Sequence, residues 1–205
     1  MIKNIVFDIG SVLVDFRYHD YMLDLGFSTE AVNVIEEKIV QNDIWGKLDL
    51  GIEPIENVME EMYGRAPGYE KEVHEFFDKI IDIVQVYPYT NEWIKSFKSK
   101  GYKVFLLSNY PKDMYDMHEK EKFTFTSLVD GKIISGHVKM VKPDKEIYKQ
   151  LLDTYQLKEE ECVFIDDRPL NVESAVKLGF HGIVFSTFEE VDSQLQNLLK
   201  KENGD

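Results

Sequence analysis

One cysteine, Cys162, is all that the 205 residues contain. A disulfide within the chain is excluded, and a reducing, cytoplasmic setting is the expectation. Cys162 sits in "ECVFIDD" and reads as a buried strand thiol rather than a nucleophile. Long apolar runs are missing too. None approaches the roughly 18 residues that a membrane span needs, so no membrane partner is expected. The first run, in "MIKNIVFDIG", is cut by Asp8 and is too short for a signal-peptide core. Positive charge is scarce: 24 Lys and Arg face 38 Asp and Glu, a net charge of −14. That argues against nucleic acid as a partner. A small phosphorylated ligand stays open, because a metal and one lysine invert the field locally. The five histidines, His19, His74, His118, His137 and His181, are scattered, with no metal-ligand spacing among them.

The segments that are present alternate. "NIVF" reads as a strand buried on both faces, because its apolar residues run on without alternation. "YKVFLLS", "ECVFIDD" and "GIVFS" read as further strands, separated by helices such as "KPDKEIYKQLLDTY" and "NVESAVKLG". "TFEEVDSQLQNLLKK" opens with a capping box, Thr187 and Glu190. Strand alternating with helix predicts an α/β fold, a doubly wound parallel sheet covered on both faces. Residues 16–87 break the pattern. Ser28 reads as an N-cap, and "YEKEVHEFFDKIIDIVQ" carries one apolar stripe that predicts a single helix. No strand is expected there. "DIWGKLDLG" reads as a joint between helices. This stretch is too long for an ordinary crossover and predicts an inserted helical domain, 16–87, in a core of 1–15 and 88–205.

Three of the expected strands end in polar residues: Asp8, then Ser108 and Asn109, then Asp166 and Asp167. Parallel strands present their carboxyl ends at one edge, so these groups should converge. Two carboxylates about 4 Å apart repel by ~4 kcal/mol at an effective dielectric of 20. A cation is therefore required. Oxygen-only ligands with open positions suit Mg²⁺. Lys142, beside Pro143 and Asp144 at a helix start, offers a second positive charge.

With these residues in view, the chain resembles the haloacid dehalogenase-like hydrolases. "VFDIGSVL", "LLSN", "KP…IY" with Lys142, and "FIDDRPLN" are similar to their four ordered motifs. "FDIGSVLVDF" and "LLSN" are most similar to the branch of small bacterial sugar-phosphate phosphatases of the glucose-1-phosphate type. The resemblance implies a Rossmann-like core with an all-helical cap. It implies a Mg²⁺-dependent phosphatase acting on a small phosphomonoester through an aspartyl-phosphate on Asp8. Ser108, Asn109 and Lys142 would bind the phosphoryl group. Asp8, the Gly10 backbone carbonyl, Asp166 and Asp167 would hold the metal, with the order of the last two open. Asn171 would orient their loop.

Gly10 departs from the family pattern, which places a general acid and base two residues after the nucleophile. Gly10 is expected to let the chain turn away from Asp8 while its carbonyl faces the metal. Such an acid contributes ~10²–10⁴ in rate. A cap residue, a water or the substrate could supply the proton, with Asp15 and His19 as candidates. A weakly catalytic phosphometabolite-binding protein is the alternative. A 2-haloacid dehalogenase needs no such acid but has no use for Mg²⁺ or the paired Asp166 and Asp167. Trp45, Lys47 and Asp49 are possible substrate contacts.

Overall fold

The computed structural model describes residues 1–204. Its strands are Asn4–Phe7 (β1), Val14–Phe16 (β2), Val84–Val86 (β3), Lys103–Ser108 (β4), Gly131–Ile134 (β5), Cys162–Asp166 (β6) and His181–Val184 (β7). Five of them form one parallel sheet in the order β5-β4-β1-β6-β7. β1, β4 and β6 hold the middle, and their apolar runs follow from burial on both faces. Side chains alternate along each strand. Ile5 and Phe7 enter one core with Val104, Leu106, Val163 and Ile165. Val6 enters the other with Phe105, Leu107, Cys162 and Phe164. Cys162 is thus a buried strand thiol, as expected.

Five α-helices occupy the stretch between β2 and β3, with a π-helical segment at Glu36–Val40 after the second: Tyr18–Asp24 (α1), Thr29–Ile35 (α2), Asp43–Leu50 (α3), Ile55–Arg65 (α4) and Glu70–Asp78 (α5). Ser28 caps α2, its hydroxyl accepting from the Ala31 N–H. The rest flank the sheet or return to it: Thr90–Ser99 (α6), Lys112–Glu121 (α7), Ser135–Val138 (α8), Lys145–Tyr155 (α9), Pro169–Lys177 (α10) and Phe188–Asn203 (α11). Thr187 accepts from the Glu190 N–H, but the Glu190 carboxylate turns to Ser186, so the capping box is only half formed.

Three expectations are corrected. The stripe from Val73 to Val84 is not one helix: α5 ends at Asp78, a 3₁₀ turn spans Ile80–Ile83, and Val84 begins β3. β3 pairs antiparallel with β2, so a two-stranded ribbon stands at both ends of the helical stretch. "DIWGKLDL" is helix α3, ended by Gly51 in the left-handed region at φ 59°. Among the described residues no helix is long and apolar enough to cross a membrane.

Candidate active site

β1, β4 and β6 end at the same edge, and their last residues meet there. β1 lies where the sheet order reverses, the position at which open α/β sheets form a ligand crevice. A cavity of about 180 Å³ opens at this edge, lined by Asp8, Gly10, Ser108, Asn109, Lys142 and Asp167. Phe16 from β2, Trp45 and Asp49 from α3, and Tyr110, Met114 and Arg168 also line it.

Lys142 organises the floor. Its ammonium lies 2.9 Å from Asp8 Oδ1 and 2.6 Å from Asp166 Oδ2. It also donates to the Leu107 carbonyl at 2.9 Å. All three charged groups are buried. Burial works against the Lys142 charge, but Asp8 and Asp166 outweigh it and the pKa is raised. Burial pushes the Asp8 carboxyl up to about 7, with Lys142 pulling it down, Asp166 pushing up and the Ser108 hydroxyl pulling down. A cation in the cavity would hold Asp8 ionised, as Lys142 already does in part.

The two acids at the end of β6 separate by their partners. Asp166 accepts from the Asn171 side chain at 3.0 Å, the Arg168 N–H at 2.8 Å and Lys142. It is sealed from solvent. Asp167 is half-buried and faces the cavity, its pKa raised by burial and then by Asp166. Asp8, Asp166 and Asp167 each bring one carboxylate oxygen within 4.8 Å of the others. This all-oxygen set could hold a metal ion. The Asn171 side chain donates to both Asp166 carboxylate oxygens at 3.0 Å.

Asn109 lines the cavity, yet its amide is committed to Lys142. It accepts from the Lys142 N–H at 2.8 Å and donates to the Lys142 carbonyl at 2.9 Å. The chain turns directly after Gly10, with the Ser11 N–H donating to the Val14 carbonyl at 2.8 Å, but the turn does not draw on a glycine's freedom at Gly10. Its φ is not positive, and a Cβ there would meet nothing within 4 Å. The left-handed residue is Ser11, at φ 58°. Backbone geometry therefore does not require a glycine at position 10.

The other candidates divide. His19 is exposed and pairs with Glu36. Asp15 sits in β2 opposite Gln85 and does not line the cavity. Lys47 pairs with Glu61 and Glu53, away from the site. Trp45 lines the cavity while stacking on Phe77 and meeting Phe16 edge-on, so it is both wall and packing residue. Asp49 alone of the polar pair after Trp45 reaches the site. Tyr110, Met114 and Arg168 were missed in the sequence. Their positions just after β4 and β6 are the signal that could have found them.

Comparison with known proteins came out as follows. The family model described as haloacid dehalogenase-like hydrolase matches residues 2–179. The chain is 25% identical over 202 residues to the drimenol cyclase drtB of Aspergillus calidoustus, covering 97% of this chain but 37% of that enzyme. It therefore spans well under half of that relative's length. It is 23% identical over 220 residues to YhcW of Bacillus subtilis, provisionally named a phosphatase, covering 98% of this chain and 94% of YhcW. A HAD family enzyme of Bacteroides thetaiotaomicron, solved with magnesium and inorganic phosphate, superposes with a TM-score of 0.72 at 21% identity. That match covers 93% of this chain and 99% of the other, and at this identity it speaks to fold.

Proposed function

The chain belongs to the haloacid dehalogenase-like hydrolases, and from that premise we propose that it is a Mg²⁺-dependent phosphomonoesterase of small phosphorylated metabolites, sugar phosphates first among them. The observation that carries this is the buried Lys142, which bridges Asp8 and Asp166 beside a cavity that Asp167 also faces. Three carboxylates meet one ammonium there, and the residual negative charge calls for a second cation. The donor set fits Mg²⁺, which takes one or two carboxylates and leaves positions for phosphate and water. Asp8, Asp167 and the Gly10 carbonyl would hold it. Asp166, its oxygens already engaged, would orient Lys142 and the loop. When bound, the metal would neutralise phosphoryl oxygens.

The chain's own residues would do the rest. Asp8 attacks phosphorus and carries the phosphoryl group as an aspartyl-phosphate. Lys142 holds Asp8 in place and offsets charge on the phosphoryl oxygens, while Ser108 donates to one of them. Asn109 fixes the Lys142 backbone, so its part is positioning rather than the direct substrate contact expected from sequence. Residues 16–87 would act as the cap, with Phe16 and Trp45 bounding the substrate's organic part. Such chemistry depends on placement and charge neutralisation.

The test is phosphate release from a panel of sugar phosphates and from p-nitrophenyl phosphate, with Mg²⁺, with chelator and with Asp8→Asn. Metal-dependent release that Asp8→Asn abolishes is the expected result. Chloride release from 2-chloropropionate in chelator would point to a dehalogenase instead. Thermal stabilisation by sugar phosphates without turnover would point to a binding protein.

A further inference from the structure

Asp49 stands in the last turn of α3. It lines the same cavity as Asp8, Ser108 and Lys142. Its Oδ1 is sealed from solvent and is the one buried side-chain polar atom without a hydrogen-bond partner among the described residues. A carboxyl left so is costly unless a ligand completes it. Its place is not loose. The Ser135 hydroxyl donates to the Asp49 carbonyl at 2.6 Å and accepts from the Tyr110 N–H at 2.8 Å. Tyr110 follows Ser108 by two residues. Lys139 donates to the Gly51 carbonyl one turn-end further on. The end of α3 is thereby tied to the end of β4, which carries the phosphoryl-binding serine.

We propose that Asp49 is the general acid and base of this site, doing from the helical insertion what Gly10 does not do from β1. This rests on the phosphomonoesterase reading above. In the first step an Asp8 oxygen bonds to phosphorus, the bond from phosphorus to the ester oxygen breaks, and that oxygen takes the Asp49 proton. In the second, Asp49 takes a proton from water as the water oxygen bonds to phosphorus. The bond to Asp8 breaks, phosphate leaves, and Asp49 is protonated again. The charged groups that act on Asp49 are Lys142, Asp8 and Arg168. Burial raises its carboxyl to about 7, Lys142 and Arg168 pull it down, and Asp8 pushes it up. A donor titrating near neutrality suits proton transfer in both directions. Asp15 and His19, which follow β1 in the chain, lie outside the cavity.

Leaving-group chemistry separates this role from a structural one. With Asp49→Asn, turnover of a sugar phosphate should fall by about 10²–10⁴. The first turnover of p-nitrophenyl phosphate, whose leaving group needs no proton, should stay near wild type. A burst of one p-nitrophenolate per enzyme should follow, because water attack on the aspartyl-phosphate has lost its base. Gly10→Asp, placed where a side chain has open space, should restore sugar-phosphate turnover about tenfold or more in the Asp49→Asn background. Asp49→Ser, read the same way, serves if the asparagine variant misfolds. Unchanged sugar-phosphate turnover in the folded variant would overturn the proposal. So would an equal loss on both esters that Gly10→Asp does not relieve. No turnover by the wild-type protein would instead remove the phosphomonoesterase reading itself.

Discussion

At the scale of single residues, the site depends on one buried ammonium between two buried carboxylates. Removing it leaves Asp8 and Asp166 uncompensated. Lys142→Met should therefore cost about 3–5 kcal/mol of stability, as breaking a buried ion pair from one side does. Urea denaturation checks this, and a loss under 1 kcal/mol would contradict it. Phosphate release should vanish in the same variant. Asp8, Ser108, Lys142 and the Asp166–Asp167 pair were legible because each stands at a strand end or helix start, where local pattern already points to an edge of the sheet. The order of Asp166 and Asp167 was not. Adjacent identical residues differ only in what they touch, and only the bonds from Asn171, Arg168 and Lys142 distinguish them. At Gly10 the sequence showed that the chain turns, but not which residue takes the left-handed backbone. A glycine in sequence looks like a conformational need, but the strained φ belongs to Ser11.

At the scale of elements, the connection between α3 and β4 passes through α8. A Cβ at Gly136 would lie 2.4 Å from the Lys112 N and 2.8 Å from the Tyr110 carbonyl, both backbone atoms. Gly136→Ala must shift α8 and with it Ser135, which holds Asp49. The expected cost is about 1–3 kcal/mol, typical of overpacking. Sugar-phosphate turnover should fall more than the first turnover of p-nitrophenyl phosphate. Steady-state rates beside burst amplitudes would check this, and equal losses would argue that α8 does not set Asp49. Sequence pattern did not reveal this joint or its neighbours. β3 is three residues long and continues the apolar spacing of α5, so helix period masks it. β5, "GKII" at the sheet edge, carries only two apolar residues and does not stand out as a strand. α3 has a glycine in its interior, and its "DIWGKLDL" mixes charged and apolar residues without a clean stripe.

For the whole molecule, the net charge of −14 sets the response to metal. Acidic groups are spread over the surface, but the cluster of buried Asp8 and Asp166 with half-buried Asp167 is where a cation gains most. Mg²⁺ at a hundredfold excess over its Kd should add about 2.7 kcal/mol, or roughly 5–10 °C in Tm for a chain of this size. Asp167→Asn should flatten that response in a thermal melt with and without Mg²⁺. Wild-type protein whose Tm ignores Mg²⁺ would contradict the metal assignment. The doubly wound sheet and the positions of its edge acids were determined by the sequence alone. Buried parallel strands need continuous apolar runs, and their turns into helices are local. The helical stretch was legible as an interruption of that rhythm. What only the tertiary structure decided is which residues of that stretch face the sheet. Trp45, Lys47 and Asp49 lie within five positions of one another, yet one packs and lines, one turns to surface acids, and one enters the cavity. That outcome depends on how the end of α3 lies against α8, contacts between segments more than eighty residues apart in the chain.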